Sequence, residues 1–208
     1  MKIKKYDYIF LDLDGTILDG KNRHYHCYTD IVNKYGGVLL DINCYWEMSR
    51  QRVDKRKLLE LSEFRGTYQQ YREEWIQRIE QKEYLEYDIL LPETITTIKN
   101  LRECAQHLYL VTLRNHRENL MWQLQRLHIL NLFEQVISGI PGEKRTKYDL
   151  IKDIPMENAL FIGDTEIDLE TAKLCGGEFK GVLNGIRSRE AFPGAQVYEN
   201  LSELYLSL

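Results

Sequence analysis

Two aspartates stand two residues apart at the end of an apolar run, Tyr8-Ile-Phe-Leu-Asp12-Leu-Asp14-Gly15-Thr16. If extended backbone persists through Asp14, period-two alternation puts both carboxyl groups on one side of the chain. Clustered carboxylates repel, which favours a bound cation or one raised pKa. Hard oxygen ligands with an open coordination sphere suit Mg²⁺. Asp and Gly also build ordinary turns, so this segment taken alone reads equally well as a turn with two solvated aspartates. A second acidic turn, Ala159-Leu-Phe-Ile-Gly163-Asp164-Thr165-Glu-Ile-Asp168, again runs from an apolar stretch into glycine and aspartates. Asp164 and Asp168 are spaced to share one face of a helix, and Asp168 also suits a helix N-terminus through the dipole. Two strand ends of this kind in one sheet can converge on one ion.

The elements that must position these groups alternate in texture. Short apolar runs occur at Tyr8–Leu11, Leu108–Val111, Val136–Ile137, Ala159–Ile162 and Gly181–Leu183. Between the later runs lie helical patterns at Glu118–Leu127, Thr146–Lys152 and Ile167–Cys175, and Asn115 with Glu118 three positions on fits a capping box. Runs bounded by turns, with amphipathic helices between them, predict an α/β fold: a Rossmann-like parallel sheet sandwiched by helices. From about Ile17 to Leu91 the rhythm breaks. Leu58, Leu59, Leu61, Tyr68, Tyr71, Trp75, Ile76 and Ile79 recur at helical spacing. This stretch reads as a small helical domain, residues 17–92, inserted into a core of residues 1–16 and 93–208.

The 208 residues carry 43% apolar and 29% charged types, a globular balance. Lys and Arg number 28 against 32 Asp and Glu, a net charge of −4, which argues against a general nucleic-acid or anionic-membrane binder. The apolar stretches are far shorter than the ~20 residues needed to cross a bilayer, and no secretory signal is readable at the start. Cys27, Cys44, Cys104 and Cys175 are scattered without a CxxC pair and read as buried reduced thiols. A cytoplasmic protein is the expectation.

The DLDGT segment at the first strand and GDTEID at a late one resemble the haloacid dehalogenase (HAD) superfamily, in order along the whole chain and with an insertion just after the first motif. The resemblance implies a Mg²⁺-dependent phosphatase acting on a small phosphorylated metabolite. It makes Asp12 a nucleophile that becomes a phosphoaspartate and Asp14 a general acid/base. It implies Mg²⁺ held by Asp12, the backbone carbonyl of Asp14 and Asp164, with Asp168 nearby or behind. Two further motifs follow by position. Leu108-Tyr-Leu-Val-Thr112 ends a strand in a hydroxyl that would grip a phosphoryl oxygen, with Arg114 and Asn115 in the next turn as substrate contacts, or else a surface cation and a helix cap. The motif lysine is Lys147, immediately before a helix, with Lys144 as the alternative; the usual lysine–proline pair is missing. A nucleotide phosphate loop is not supported, because the G-x-x-x-x-G-K-[ST] spacing is absent.

In such relatives the insertion caps the active site and selects the substrate. Here it opens with Asp19, Lys21, Asn22, Arg23, His24 and His26. His24 reads as a hinge or surface residue, and His26, His107, His116 and His128 as structural or exposed. The basic set Arg50, Arg52, Lys55, Arg56 and Lys57 reads as a solvated helix face. Among rival functions a sugar phosphate mutase shares both aspartates and the cap. Dehalogenases lack the second aspartate of the first motif. A phosphoaspartate receiver domain orders its acidic residues, threonine and lysine differently along the chain.

Overall fold

The computed structural model describes residues 5–140 and 147–208. Its strands are β1 (Tyr6–Leu11), β2 (Leu18–Asp19), β3 (Ile89–Leu90), β4 (Ala105–Leu113), β5 (Gln135–Gly139), β6 (Ala159–Gly163), β7 (Glu178–Val182) and β8 (Gln196–Tyr198). Six of them form one sheet in the order β5-β4-β1-β6-β7-β8, and each recorded pairing is parallel. β2 and β3 form a separate two-stranded sheet.

A parallel sheet needs both faces covered, and the strands provide for it by alternation. Ile9 and Leu11 of β1 and Leu160 and Ile162 of β6 pack on one face with Ile98 and Leu101 from the helix Thr94–Cys104, Leu120 and Leu124 from Arg117–Arg126, and Leu204 from Leu201–Leu206. Phe10 and Phe161 point the other way, into a layer with Val111, Ile151 and Ala172. The architecture is therefore the α/β sandwich expected. The sheet is wider than the apolar runs indicated, since β8 (Gln-Val-Tyr) is too short and polar to register as a run.

The chain divides into two compact units, Met1–Asp19 with Leu90–Leu208, and Gly20–Ile89. The second is helical: Lys21–Lys34, Ile42–Arg50, Lys55–Leu61, Tyr68–Arg78 and Lys82–Leu85. Its core gathers Cys27, Tyr28, Ile31, Tyr45, Leu58 and Tyr71. Asp41 and Asp54 cap two of its helices, and Thr67 with Gln70 forms a reciprocal capping box on a third. At its start Arg23 is buried against Asp88, Nε to Oδ1 3.2 Å.

Several expectations need correction. The helix after β4 begins at Arg117 with His116 as its cap residue and no side-chain cap bond, so the Asn115–Glu118 capping box does not form. Glu118 instead sits in the first turn, where the helix dipole favours it. His24 is no surface residue: half-buried, it meets the rings of Trp46 and Trp75 edge-on at 5.8 and 5.4 Å. Of the four free cysteines only Cys27 is buried, and Cys44 is exposed. The basic set keeps the solvated character expected of it, with Arg52, Arg56 and Lys57 exposed, while Lys55 also reaches Ser49 and the Tyr45 ring, Arg56 lies over Tyr68 and Lys57 meets Glu60. No helix among the described residues is long and apolar enough to cross a membrane.

Candidate active site

β1 lies where the strand order reverses, with β4 and β5 on one side and β6, β7 and β8 on the other. A crevice opens beyond the carboxyl ends of strands at such a switch point, and Asp12 is the first residue past β1. Its backbone N–H donates to Ile162 O of β6 at 2.9 Å, extending the ladder by one step and pinning the carboxylate at this crevice, 7% exposed.

Lys147 caps the short helix Tyr148–Ile151 and is 5% exposed. Its backbone N–H donates to Thr171 Oγ1 at 3.0 Å, and that hydroxyl donates to Ile167 O at 2.7 Å. The helix Glu166–Cys175 therefore sets where Lys147 begins. The ammonium donates to Asp12 Oδ1 and, at 2.7 Å, to Asp168 Oδ1. Lys144 lies outside the described residues, as does Thr146.

Asp168 and Asp164 have different partners. Both oxygens of Asp168 are engaged: Oδ1 by Lys147, and Oδ2 by the Thr165 N–H at 3.2 Å and the Thr165 hydroxyl at 2.7 Å in a capping box. Asp164 Oδ2 accepts from Ile186 N–H at 2.9 Å, while Oδ1 is buried with no hydrogen-bond partner. One ligand atom from each of Asp12, Asp164 and Asp168 falls within 4.8 Å of the others. A buried carboxylate oxygen without a donor is costly, and three buried carboxylates facing one lysine leave a surplus of negative charge. Both features fit a hard divalent cation. Asp12 and Asp164 are the side chains with capacity to hold it, and Asp168 is occupied in holding Lys147. The Asp14 carboxylate is not in this cluster, so a role for Asp14 at a metal rests on its backbone carbonyl, as the resemblance implies.

The electrostatics follow from burial and crowding. Burial pushes the Asp12 carboxyl up to about 7; Lys147 opposes this, and Asp168 and Asp14 add to it. Burial, then Asp12 and Asp168, hold Asp164 well above the usual carboxylate range. For Lys147 burial acts to lower the value, but the attraction of Asp12 and Asp168 outweighs it and the ammonium is held charged.

The other expected residues flank this cluster. Thr112, 1% exposed, stands near the end of β4, next to β1. Two residues on, Arg114 clasps Asp14 with a two-pronged grip, Nε to Oδ2 2.8 Å and Nη2 to Oδ1 2.7 Å. Asn115 lies partly exposed in the following turn.

Backbone packed against Asp164 was not singled out from sequence. Gly15 adopts φ +74°, and a Cβ there would run into the Asp164 carboxylate and come 2.8 Å from the Cα of Gly185. A Cβ at Gly185 would strike the same carboxylate. The loop after β7, Asn184-Gly185-Ile186, therefore forms one wall of the cluster, and Arg187 beyond it donates to Glu166 at 3.0 Å. An Asn-Gly pair straight after the Gly181–Leu183 run was the available signal, since that dipeptide marks a turn at a strand end.

A family model described as haloacid dehalogenase-like hydrolase matches residues 6–176. A search of curated proteins finds no match. Among solved structures, a predicted phosphatase from Clostridium acetobutylicum is 19% identical, covers 97% of each chain and superposes with a TM-score of 0.73. A predicted phosphoglycolate phosphatase from Haemophilus somnus 129PT is 17% identical over 99% of this chain and 100% of its own, with a TM-score of 0.73. A protein from Thermotoga maritima named, by inference, as a β-phosphoglucomutase is 17% identical over 97% of each chain, with a TM-score of 0.69. At these identities the structures establish the shared fold. Together with a family model spanning most of the chain, both acidic motifs included, they lead to one assignment: this chain belongs to the haloacid dehalogenase-like hydrolases.

Proposed function

We propose that the protein is a Mg²⁺-dependent phosphatase that hydrolyses a small phosphorylated metabolite through an aspartyl phosphate on Asp12. The observation that carries this reading is the buried set Asp12–Lys147–Asp168 beside the partnerless Asp164 oxygen at the switch point of the sheet. Phosphoryl transfer depends on positioning and charge neutralisation, and this arrangement offers both.

Asp12, Asp164 and the backbone carbonyl of Asp14 would hold Mg²⁺, which supplies neutralisation of the phosphoryl oxygens when bound. Lys147 offsets the remaining charge between Asp12 and the phosphate. The Thr112 hydroxyl donates to a phosphoryl oxygen, and Arg114 and Asn115 complete the contacts to substrate. A carboxylate oxygen of Asp12 attacks phosphorus while the bond from phosphorus to the leaving oxygen breaks. Asp14 gives its proton to that alkoxide, so an alcohol departs. Asp14 then takes a proton from the water that attacks the phosphoaspartate, the bond between phosphorus and Asp12 breaks, and inorganic phosphate leaves. The helical unit serves as a cap that selects substrate and controls water, as the family resemblance implies, and the enzyme works in the cytoplasm.

A sugar phosphate mutase would use the same two aspartates, and the likeness to the Thermotoga maritima structure keeps it as the alternative. Phosphate release from sugar phosphates, nucleotides and phosphoglycolate with Mg²⁺ decides between them. Release that is abolished by Asp12→Asn supports the phosphatase. Release unaffected by that substitution removes Asp12 as the nucleophile, and positional isomerisation of a sugar phosphate without net release establishes the mutase.

A further inference from the structure

Arg114 enters the reading above as a substrate contact, yet in the structure its guanidinium grips Asp14 with both prongs. The guanidinium is almost entirely buried, with 4% of the Arg114 side chain exposed against 34% of the Asp14 side chain. Its backbone is tied down as well, because Arg114 N–H donates to Gly139 O at 2.8 Å, carrying the β4–β5 ladder one residue beyond β4. A rigidly mounted cation thus reaches from the Thr112 strand end to the carboxylate following β1. Asp14 itself follows a strand end and precedes Gly15, at positive φ, and it lies outside the Asp12–Asp164–Asp168 group.

We infer that Arg114 is a positioning residue for Asp14: it fixes where the acid/base carboxylate stands, and it yields part of that grip to a phosphoryl oxygen when substrate arrives. The planar fork of a guanidinium matches a carboxylate and a phosphate equally well. A phosphoryl group held by Thr112 competes for the same donors, and each donor it takes frees an Asp14 oxygen to face the leaving group. Proton transfer is sensitive to such placement: an offset of about 1 Å costs on the order of 10²-fold in rate. This inference rests on the phosphatase reading, because it needs Asp14 to serve the leaving oxygen.

The test is a series of aryl phosphates of graded leaving-group pKa plus a simple alkyl phosphate, assayed as kcat/KM with Mg²⁺ for wild type, Arg114→Lys and Arg114→Gln. Arg114→Lys keeps the charge without the fork and serves if Arg114→Gln does not fold. Poor leaving groups need a well-placed acid and good ones do not. The expected result is a steeper dependence on leaving-group pKa in the variants: every ester shares the loss of the Arg114 phosphate contact, and the alkyl ester loses on the order of 10²-fold more than the most activated aryl ester. In an Asp14→Asn background, Arg114→Lys should add no further leaving-group dependence. A parallel drop across the whole series overturns the inference and leaves Arg114 as a phosphate contact alone. Failure of wild type to release phosphate from every ester, with Asp12→Asn indistinguishable from it, overturns the phosphatase reading and this inference with it.

Discussion

Replacing Asp12 with asparagine should make the metal-free protein more stable at neutral and alkaline pH, although the residue is the proposed nucleophile. The carboxyl is buried, and its pKa rises from the ordinary 3.8 to about 7. A group whose folded value is raised contributes favourably when protonated, so its contribution is complete below about pH 4 and is withdrawn as pH climbs through about 7. The shift of roughly three units puts the penalty on the order of 4 kcal/mol at pH 8 and well below that at pH 4. Asparagine is neutral throughout, keeps the shape, and its amide oxygen can still accept from Lys147. For a chain of this length ~1 kcal/mol moves the melting temperature by about 2–4 °C, so the expected gain is roughly 8–16 °C at pH 8 and close to nothing at pH 4. Thermal unfolding in a chelator at pH 4, 6 and 8 measures it. A variant that melts at or below wild type at pH 8, or a difference that does not change with pH, refutes the electrostatic account of the cluster.

Three further outcomes follow from the same site. Mg²⁺ at 100 times its dissociation constant should stabilise wild type by about 2.7 kcal/mol, and this gain in melting temperature should vanish in Asp164→Asn if that residue supplies the open oxygen. Lys147→Met leaves Asp12 and Asp168 buried without their shared cation and should cost about 3–5 kcal/mol in chelator at pH 8 by chemical denaturation, with a smaller cost at low pH. Gly15→Ala forces an alanine into positive φ, about 1–2 kcal/mol, and drives its methyl into Asp164; circular dichroism should remain near wild type while Mg²⁺ binding, followed by calorimetry, is lost.

Much of the core was legible in sequence for a physical reason. Strands buried on both faces need unbroken apolar runs, and those of β1, β4 and β6 stand out from the charged helices around them. The acidic turns were legible because two of them end such runs. Lys147 was preferred over Lys144 for its place before a helix; Lys147 reaches Asp12, and Lys144 lies outside the described residues. The Asn115 cap was misread because the chain is still carrying the β4–β5 ladder at Arg114, which delays the helix to Arg117.

Composition and local order by themselves determined the α/β class, the helical character of the inserted stretch and the residue types that face one another, because burial patterns and strand-end turns are written within a few residues. Only the folded chain decided who partners whom. Lys147 meets Asp12 across 135 residues and Arg114 meets Asp14 across 100. Likewise the loop at Gly185 closes on Asp164 because the sheet sets β7 beside β6. Such pairings are chosen by strand order and by the cost of leaving a buried charge alone, and neither leaves a signature at any single position.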